Sequence, residues 1–430
     1  MKIIRTNDSN YAGRLRELTA PSSLFDRAIE ERTRAILEAV RERGDQALLE
    51  FTAQFDGAKL FAEQLPVSQA ELVGASLKAD PELRQAIATA SRNVERFSRK
   101  SLRKSWQTIN RQGGKVGEKF DPFQRVGVYV PGGTAPLVST ALMTVLLARV
   151  AGCPEIVVCT PCGRDGTLNP ALLFAVRAAG ATEIYRVGGA QAMAALAYGT
   201  NTIRRVQKVF GPGNAYVVAA KRLLFGHVGV DLLPGPSELL VLADDTANPR
   251  FIAADLLAQA EHGSGHERVW LVTPSARLLA AVDQEIARQL AEVPRREFIE
   301  RALARNGWLV QVKSAAAGVQ LANQLAPEHC EVMVRQPRRL AQNITTAGAI
   351  FLGSYAPTVL GDYMAGPSHT LPTGGAGRSF PGLTVDQFQR RTSLVEYDRQ
   401  ALKKSLPTLR KFAAVEGLGA HARSAEIRMS

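Results

Sequence analysis

Val126-Gly127-Val128-Tyr129-Val130-Pro131-Gly132-Gly133-Thr134-Ala135-Pro136 is the stretch that decides the fold. Three valines and a tyrosine favour a strand, Pro-Gly-Gly interrupts it, and the apolar run from Leu137 to Val150 then reads as a helix. The same rhythm repeats downstream. Further strands are expected at Glu155 to Thr160, Glu183 to Val187, Lys208 to Phe210 and Leu239 to Ala243, with helices at Pro170 to Ala179, Ala190 to Tyr198 and Ala215 to Leu224. Short apolar runs alternating with Ala-rich helices predict a parallel sheet covered on both faces.

A second round follows: helix Pro249 to Glu261, strand Arg268 to Val272, helix Ala276 to Leu290, strand Trp308 to Val312, helix Ala315 to Leu325, and strands Glu331 to Val334 and Ala349 to Leu352. Upstream, Asp26 to Arg43 has apolar residues at helical spacing and stops at Gly44, Ser68 and Glu71 form a capping box, and Asp80-Pro81 is an N-cap followed by Pro at N1. Gly361 to Leu383 reads as a long Gly/Pro-rich loop, a type that is usually functional inside a compact domain. Arg399 to Val415 reads as a helix, and a polar tail carries His421. The expected fold class is α/β. It has two Rossmann-like lobes with parallel sheets, a helical N-terminal segment over residues 1–125, a first lobe over 126–243, a second over 244–383, and a small C-terminal helical tail over 384–430.

The 430 residues, 46% apolar and 22% charged, have the composition of a folded globular chain long enough for more than one core. Met1 to Asp8 has no apolar core of a secretory signal, and Thr134 to Ala148 is too short to span a bilayer, so no membrane association is expected. Four cysteines are too few for a disulfide scaffold and fit a reducing cytoplasm. Net charge is +13, and between Arg92 and Arg125 ten basic residues stand against three acids. Without a recognition module or regular stacking aromatics, that stretch reads as a solvated face, and no nucleic-acid partner is expected.

Only six histidines occur, and four of them (His262, His329, His369 and His421) sit in short segments rich in Gly, Pro and acids. Imidazole beside a carboxylate serves metal binding or proton transfer. Gln259 and His262, three apart at a helix end, could be half of a metal site or simply a polar helix terminus. Glu328-His329 could supply two proton acceptors to one reaction, or could be a surface-exposed helix stop. The turns after Val130 and at Gly211-Pro212-Gly213-Asn214 could set backbone N–H groups against a phosphate, although neither is a G-x-G-x-x-G and no P-loop is present. Cys159-Thr160-Pro161-Cys162 is read as packing, and His227 and His266 as structural or solvent-facing.

Taken together, Arg125 to Pro136, Gly188-Gly189-Ala190-Gln191-Ala192, Phe210 to Asn214, Gly235-Pro236-Ser237-Glu238, Asp255 to His262, Ala326-Pro327-Glu328-His329, Gly361-Asp362, Gly366 to His369 and Arg391 to Val395 closely resemble the histidinol dehydrogenase family. The resemblance runs from about Asp26 to Ile427. It implies an NAD-dependent oxidation of L-histidinol through L-histidinal to L-histidine, with one zinc ion per subunit. By that resemblance zinc is held by Gln259, His262, Asp362 and His421, with His421 reaching in from the other subunit of a homodimer. NAD meets Tyr129, Gln191 and Asn214. Substrate meets Ser237, His369 and Glu416 as well as the zinc ligands and His329, and the catalytic pair is Glu328 and His329. The alternative is a related zinc- and NAD-dependent dehydrogenase of another small alcohol, such as a sulfonated diol, whose substrate would have less use for Glu416 and His421. A zinc hydrolase and a basic nucleic-acid-binding protein are more distant alternatives.

Overall fold

The computed structural model describes residues 1–19, 26–132 and 137–429. Its strands, in chain order, are β1 (Lys2–Ile4), β2 (Trp106–Ile109), β3 (Lys115–Pro122), β4 (Arg125–Tyr129), β5 (Glu155–Cys159), β6 (Glu183–Tyr185), β7 (Lys208–Phe210), β8 (Gly229–Val230), β9 (Glu238–Ala243), β10 (Arg268–Thr273), β11 (Gly307–Gln311), β12 (His329–Met333), β13 (Ala349–Leu352) and β14 (Gln389–Glu396). They form two all-parallel sheets, β6-β5-β4-β7-β8 and β1-β11-β10-β9-β12-β13, and an antiparallel sheet β14-β3-β2.

Each parallel sheet is apolar on both faces because both are covered. Val126 and Val128 of β4 pack with the helices Val138–Ala151 and Pro170–Ala179. Tyr129, at the end of β4, lies on the other side with the helices Arg27–Arg43 and Gly189–Tyr198. In β9, Leu239, Val241 and Ala243 pack against the helix Pro249–Ala260, while Leu240 and Leu242 face the opposite layer. Each fully buried Val or Leu of this kind contributes about 1.5–3 kcal/mol. The expected caps form: Asp26 accepts from Ala28 and Ile29 N–H, Ser68 and Glu71 reciprocate, and Asp80 accepts from Leu83 N–H.

Several elements differ from expectation. The strand at 238–243, expected in the first lobe, is the centre of the second sheet, paired with β10 and β12, because its apolar run must be sandwiched between two strands as well as two helical layers. Residues 1–125 are not wholly helical, since β1 joins the edge of the second sheet and β2 and β3 form a hairpin. Residues 384–430 are not only helical either, because β14 completes that hairpin's sheet. β2 and β14 are largely exposed and polar, so they lack the buried run that marks a strand in sequence. A further helix, Arg296–Asn306, had no expectation. The expected loop begins later than Gly361, which lies in the helix Thr358–Tyr363. Of the glycine-rich turn after β4, Gly133 to Pro136 lie outside the described residues.

The rest of that loop ties the lobes together. Ser368 Oγ donates to Met143 O at 2.8 Å in the first lobe, whereas Thr373 Oγ1 accepts from Gly235 N–H, and Gly374 N–H donates to Glu238 Oε1 at 3.1 Å, in the second.

Candidate active site

The two lobes share a winding order. Leaving out β1, which joins the edge of the second sheet beside β11, the strands of each lobe lie 3-2-1-4-5 when counted within it, and chain direction across the sheet reverses between strands 1 and 4. Such a switch point leaves a crevice at the strand ends.

In the second lobe the titratable groups gather at the amino ends of β9 and β12. His329 is the first residue of β12, paired in register with Leu239, which brings Glu328 beside Glu238. Glu238 N–H donates to Glu328 Oε2 at 2.8 Å, and His329 Nδ1–H donates to Glu238 O at 3.0 Å. That bond assigns the proton to Nδ1 and leaves Nε2 as the basic nitrogen, 3.8 Å from Asp362 Oδ1. Ser237 hydrogen-bonds to the Glu328 carboxyl.

Burial controls the charges here. Glu328, 5% exposed, is pushed well above the usual carboxylate range by burial and then by the carboxyls of Glu238 and Asp362. Burial raises Glu238 to about 7 in spite of Arg268, whose guanidinium is 3.2 Å away. Burial lowers His329 to about 3 and His369 to about 4, and His262 opposes their charging further. Although His329 Nδ1 and Glu328 Oε2 are 3.5 Å apart, this is no ion pair. An imidazole so hard to protonate cannot be the cation of such a pair.

Gln259 ends the helix Pro249–Ala260, buried with its Nε2 unpartnered, and His262 Nδ1–H donates to Gln259 O at 3.0 Å, freeing the exposed Nε2. Asp362 sits on the helix Thr358–Tyr363, and burial raises it to about 6 against the pull of His262. His369 Nδ1–H donates to Asp362 O at 3.1 Å, and its Nε2 accepts from Thr140 Oγ1 of the first lobe at 3.3 Å. An amide, an imidazole nitrogen with its other nitrogen anchored, and a carboxylate are zinc-type donors. They fit such an ion, whose charge would offset the buried carboxyls of Asp362, Glu328 and Glu238. Among the described residues no three His, Cys, Asp or Glu side chains are grouped closely enough to hold an ion alone.

The first lobe offers its carboxyl ends. Tyr129, last in β4, is buried, accepts from Gly189 N–H at 3.1 Å, and is raised to about 12 by burial. Gln191 is 1% exposed with its Oε1 unpartnered. Asn214 uses its Oδ1 to cap the helix Ala215–Leu224 and keeps Nδ2 as a donor. Between β7 and Asn214, Gly211 has φ +106 and a Cβ there would lie 2.2 Å from Tyr129 O. Its N–H donates to Asp231 Oδ2 at 2.8 Å and its carbonyl accepts from Lys221 Nζ, itself 2.6 Å from Asp231 Oδ1 in a fully buried pair. An unpartnered acceptor, a free amide donor and a pinned turn at a switch point fit a dinucleotide.

Seven expected site residues of the second lobe (Ser237, Gln259, His262, Glu328, His329, Asp362 and His369) are therefore linked by hydrogen bonds or by one electrostatic neighbourhood. Glu416 and His421 are not among them. Glu416 caps the helix Arg399–Val415, and His421 lies exposed on the helix Gly419–Glu426, which packs against it. Sequence reasoning passed over Glu238, although an acid opening the run Leu239 to Ala243 is itself a signal. The cysteines are free, with burial raising Cys159 to about 12 and Cys162 to about 11, which suits packing rather than redox chemistry. His266 and His227 are exposed, the latter edge-on to Tyr198.

The family model for histidinol dehydrogenase matches residues 20–429. A histidinol dehydrogenase from Synechococcus sp. is 49% identical over 399 residues, covering 93% of this chain and 92% of its own. One from Geobacillus kaustophilus is 47% identical over 403 residues, covering 93% and 94%. The crystal structure of histidinol dehydrogenase from Elizabethkingia anophelis superposes with a TM-score of 0.93 at 34% identity, covering 99% of this chain and 97% of that one.

Proposed function

The chain belongs to the histidinol dehydrogenase family, NAD-dependent oxidoreductases that perform the last step of histidine biosynthesis, and from that premise we propose how its own residues carry the reaction. The observation that bears most weight is the Glu328–His329 pair, buried and anchored to β9 through Glu238 N–H and Glu238 O.

In the first oxidation the alcohol carbon gives up a hydride and the hydroxyl a proton. His329 Nε2 takes that proton, because its other nitrogen is already committed to Glu238 O. Glu328, as the carboxylate, then accepts a proton from water as the water oxygen bonds to the aldehyde carbon, while the carbonyl oxygen takes back the proton that His329 Nε2 holds. The elevated pKa of Glu328 makes its carboxylate the stronger base for this step. The resulting hydrate gives up a second hydride from carbon and a second proton, again to His329, which leaves the carboxylic acid. NAD, at Tyr129, Gln191 and Asn214, supplies the hydride acceptor for both oxidations. Zinc, on Gln259, His262 and Asp362, supplies a cationic anchor for the substrate's amine and imidazole. Ser237 and His369 line the same pocket and orient the substrate.

Gln259, His262 and Asp362 of one chain would be three of the protein donors of a zinc site that takes one more. His421 of the partner subunit completes it in a homodimer, and Glu416 of the partner subunit meets the substrate imidazole. Apolar side chains exposed beside the tail, Leu409, Phe412 and Val415, support an interface there. A cytoplasmic location suits four cysteines without a disulfide. Among the described residues no helix is long and apolar enough to cross a membrane. Nothing in the relatives favours the sulfonated-diol alternative.

L-Histidinol and NAD⁺ supplied to the zinc-loaded protein will yield two NADH per histidine, and a chelator will abolish both until zinc is restored. Fully metallated protein producing no NADH above background sinks this reading.

A further inference from the structure

Glu331 is an acid in the middle of a buried strand. Its neighbours in register are Val241 and Phe351, and it is 1% exposed. It shares a face of β12 with His329 and with Met333, which packs in the apolar layer around the helix Pro249–Ala260. A carboxyl in such a layer is costly and needs partners.

Its partners lie on two other elements. Glu331 Oε1 accepts from Thr358 N–H at 2.8 Å and from Thr358 Oγ1 at 2.7 Å. Thr358 begins the short helix that carries Asp362 one turn later. Glu331 Oε2 is buried with no partner except what Asp255 can give it, and Asp255 lies within hydrogen-bonding reach. Asp255 precedes Gln259 by one turn of its helix and His262 by two. Two carboxyls hydrogen-bond to each other only when one of them keeps a proton. Burial favours that form, raising Glu331 to about 8 and Asp255 to about 6.

We propose that Glu331 and Asp255 are positioning residues whose hydrogen bonds to Thr358 and to each other set the distance between Asp362 and Gln259, and of both from His329. Three elements that share no hydrogen-bonded ladder with one another at this point, a strand and two helices, meet on one pair of acids. Stability alone does not call for acids there, since apolar side chains of similar volume commonly replace a buried polar pair without loss. What apolar side chains cannot do is fix direction. The inference rests on the zinc site proposed above, and its test reads zinc rather than turnover.

Zinc affinity is measured by competition with a chromogenic chelator on the full-length protein, with the thermal midpoint of the zinc-free form recorded alongside. Wild-type protein binding one zinc per chain is the control, and its failure to bind would count against the proposed function rather than against the two acids. With that control met, the Glu331→Leu/Asp255→Leu double variant will keep its zinc-free midpoint within a few degrees yet lose about 10- to 100-fold in zinc affinity, the range typical of partners that orient metal ligands. Glu331→Gln, whose amide accepts from Thr358 and donates to Asp255 without a borrowed proton, will bind zinc close to the wild-type level. Should the double variant not fold, Glu331→Asp, one methylene too short to span both partners, carries the same expectation. The proposal is overturned if the folded variant binds zinc as tightly as wild type, or if Glu331→Gln loses as much affinity as the leucine pair.

Discussion

The two parallel lobes are wound alike and used oppositely. In the first, the residues that fit a dinucleotide stand at the carboxyl ends of β4 and β7. In the second, the acid–base pair stands at the amino ends of β9 and β12, and its helices bring Gln259, His262 and Asp362 to the same edge. A shared strand order therefore does not dictate which edge works. On the proposed reading a glycine turn of the first lobe approaches the cofactor closely, which strand-to-helix turns at carboxyl ends allow. In the second, acids are placed where strands enter the sheet, so that Glu238 can hold Glu328 through its N–H and His329 through its carbonyl.

The contrast breaks most sharply under paired substitutions. His329→Ala is expected to lower kcat by roughly 10²- to 10⁴-fold, the usual worth of a positioned base, while zinc and NAD binding measured by titration stay near wild type. Gly211→Ala in the first lobe acts the other way, weakening NAD binding by about tenfold, or about 1.4 kcal/mol, while kcat at saturating NAD is retained. If both variants lose kcat alone, the division of labour between edges is wrong. A subtler break concerns His421. Alone, His421→Ala and His329→Ala dimers are both expected to be inactive, but dissociated and reassociated mixtures should recover about a quarter of wild-type activity, because half the dimers are mixed and one of their two sites is intact. No recovery from demonstrably mixed dimers would place His421 in its own subunit's site or outside any site.

The smallest effect sharpens the structural side of the comparison. At the entry edge of the first lobe, where the second keeps its chemistry, the buried Arg125 lies 2.5 Å from Glu155 and 2.6 Å from Glu183, and its hydrogen bond holds the Glu183 carboxyl down at about 2. A depressed carboxylate stabilises the fold above its ordinary pKa and loses that contribution as pH falls towards the folded value. Glu183→Gln should therefore lower the thermal midpoint by several degrees at neutral pH, with the gap to wild type closing between about pH 4.5 and pH 2. A gap that stays constant with pH would show that the charge is not what matters.

Much of the parallel architecture was legible because strands covered on both faces must be apolar, as in Val126 to Val130 or Leu239 to Ala243. Which sheet a strand joins was not, since the run at 238–243 reads the same in either lobe. The antiparallel sheet was invisible for a different reason: Arg390, Arg391 and Ser393 of β14 are solvated, and only pairing with β3 makes them a strand. At the site, His262, His329 and His369 stood out by their polar settings. Glu238 and Glu331 did not, because an acid inside an apolar run looks like an interruption until the sheet shows what it holds.

The loop from Met364 to Leu383 is stitched to both lobes, through Ser368 on one side and Thr373 and Gly374 on the other. A hinge fastened on both sides becomes a frame. On the proposed reading those bonds fix the span between the edge that takes the cofactor and the edge that takes the proton. An enzyme that consumes two cofactor molecules for every product meets the second with the same pocket that received the first.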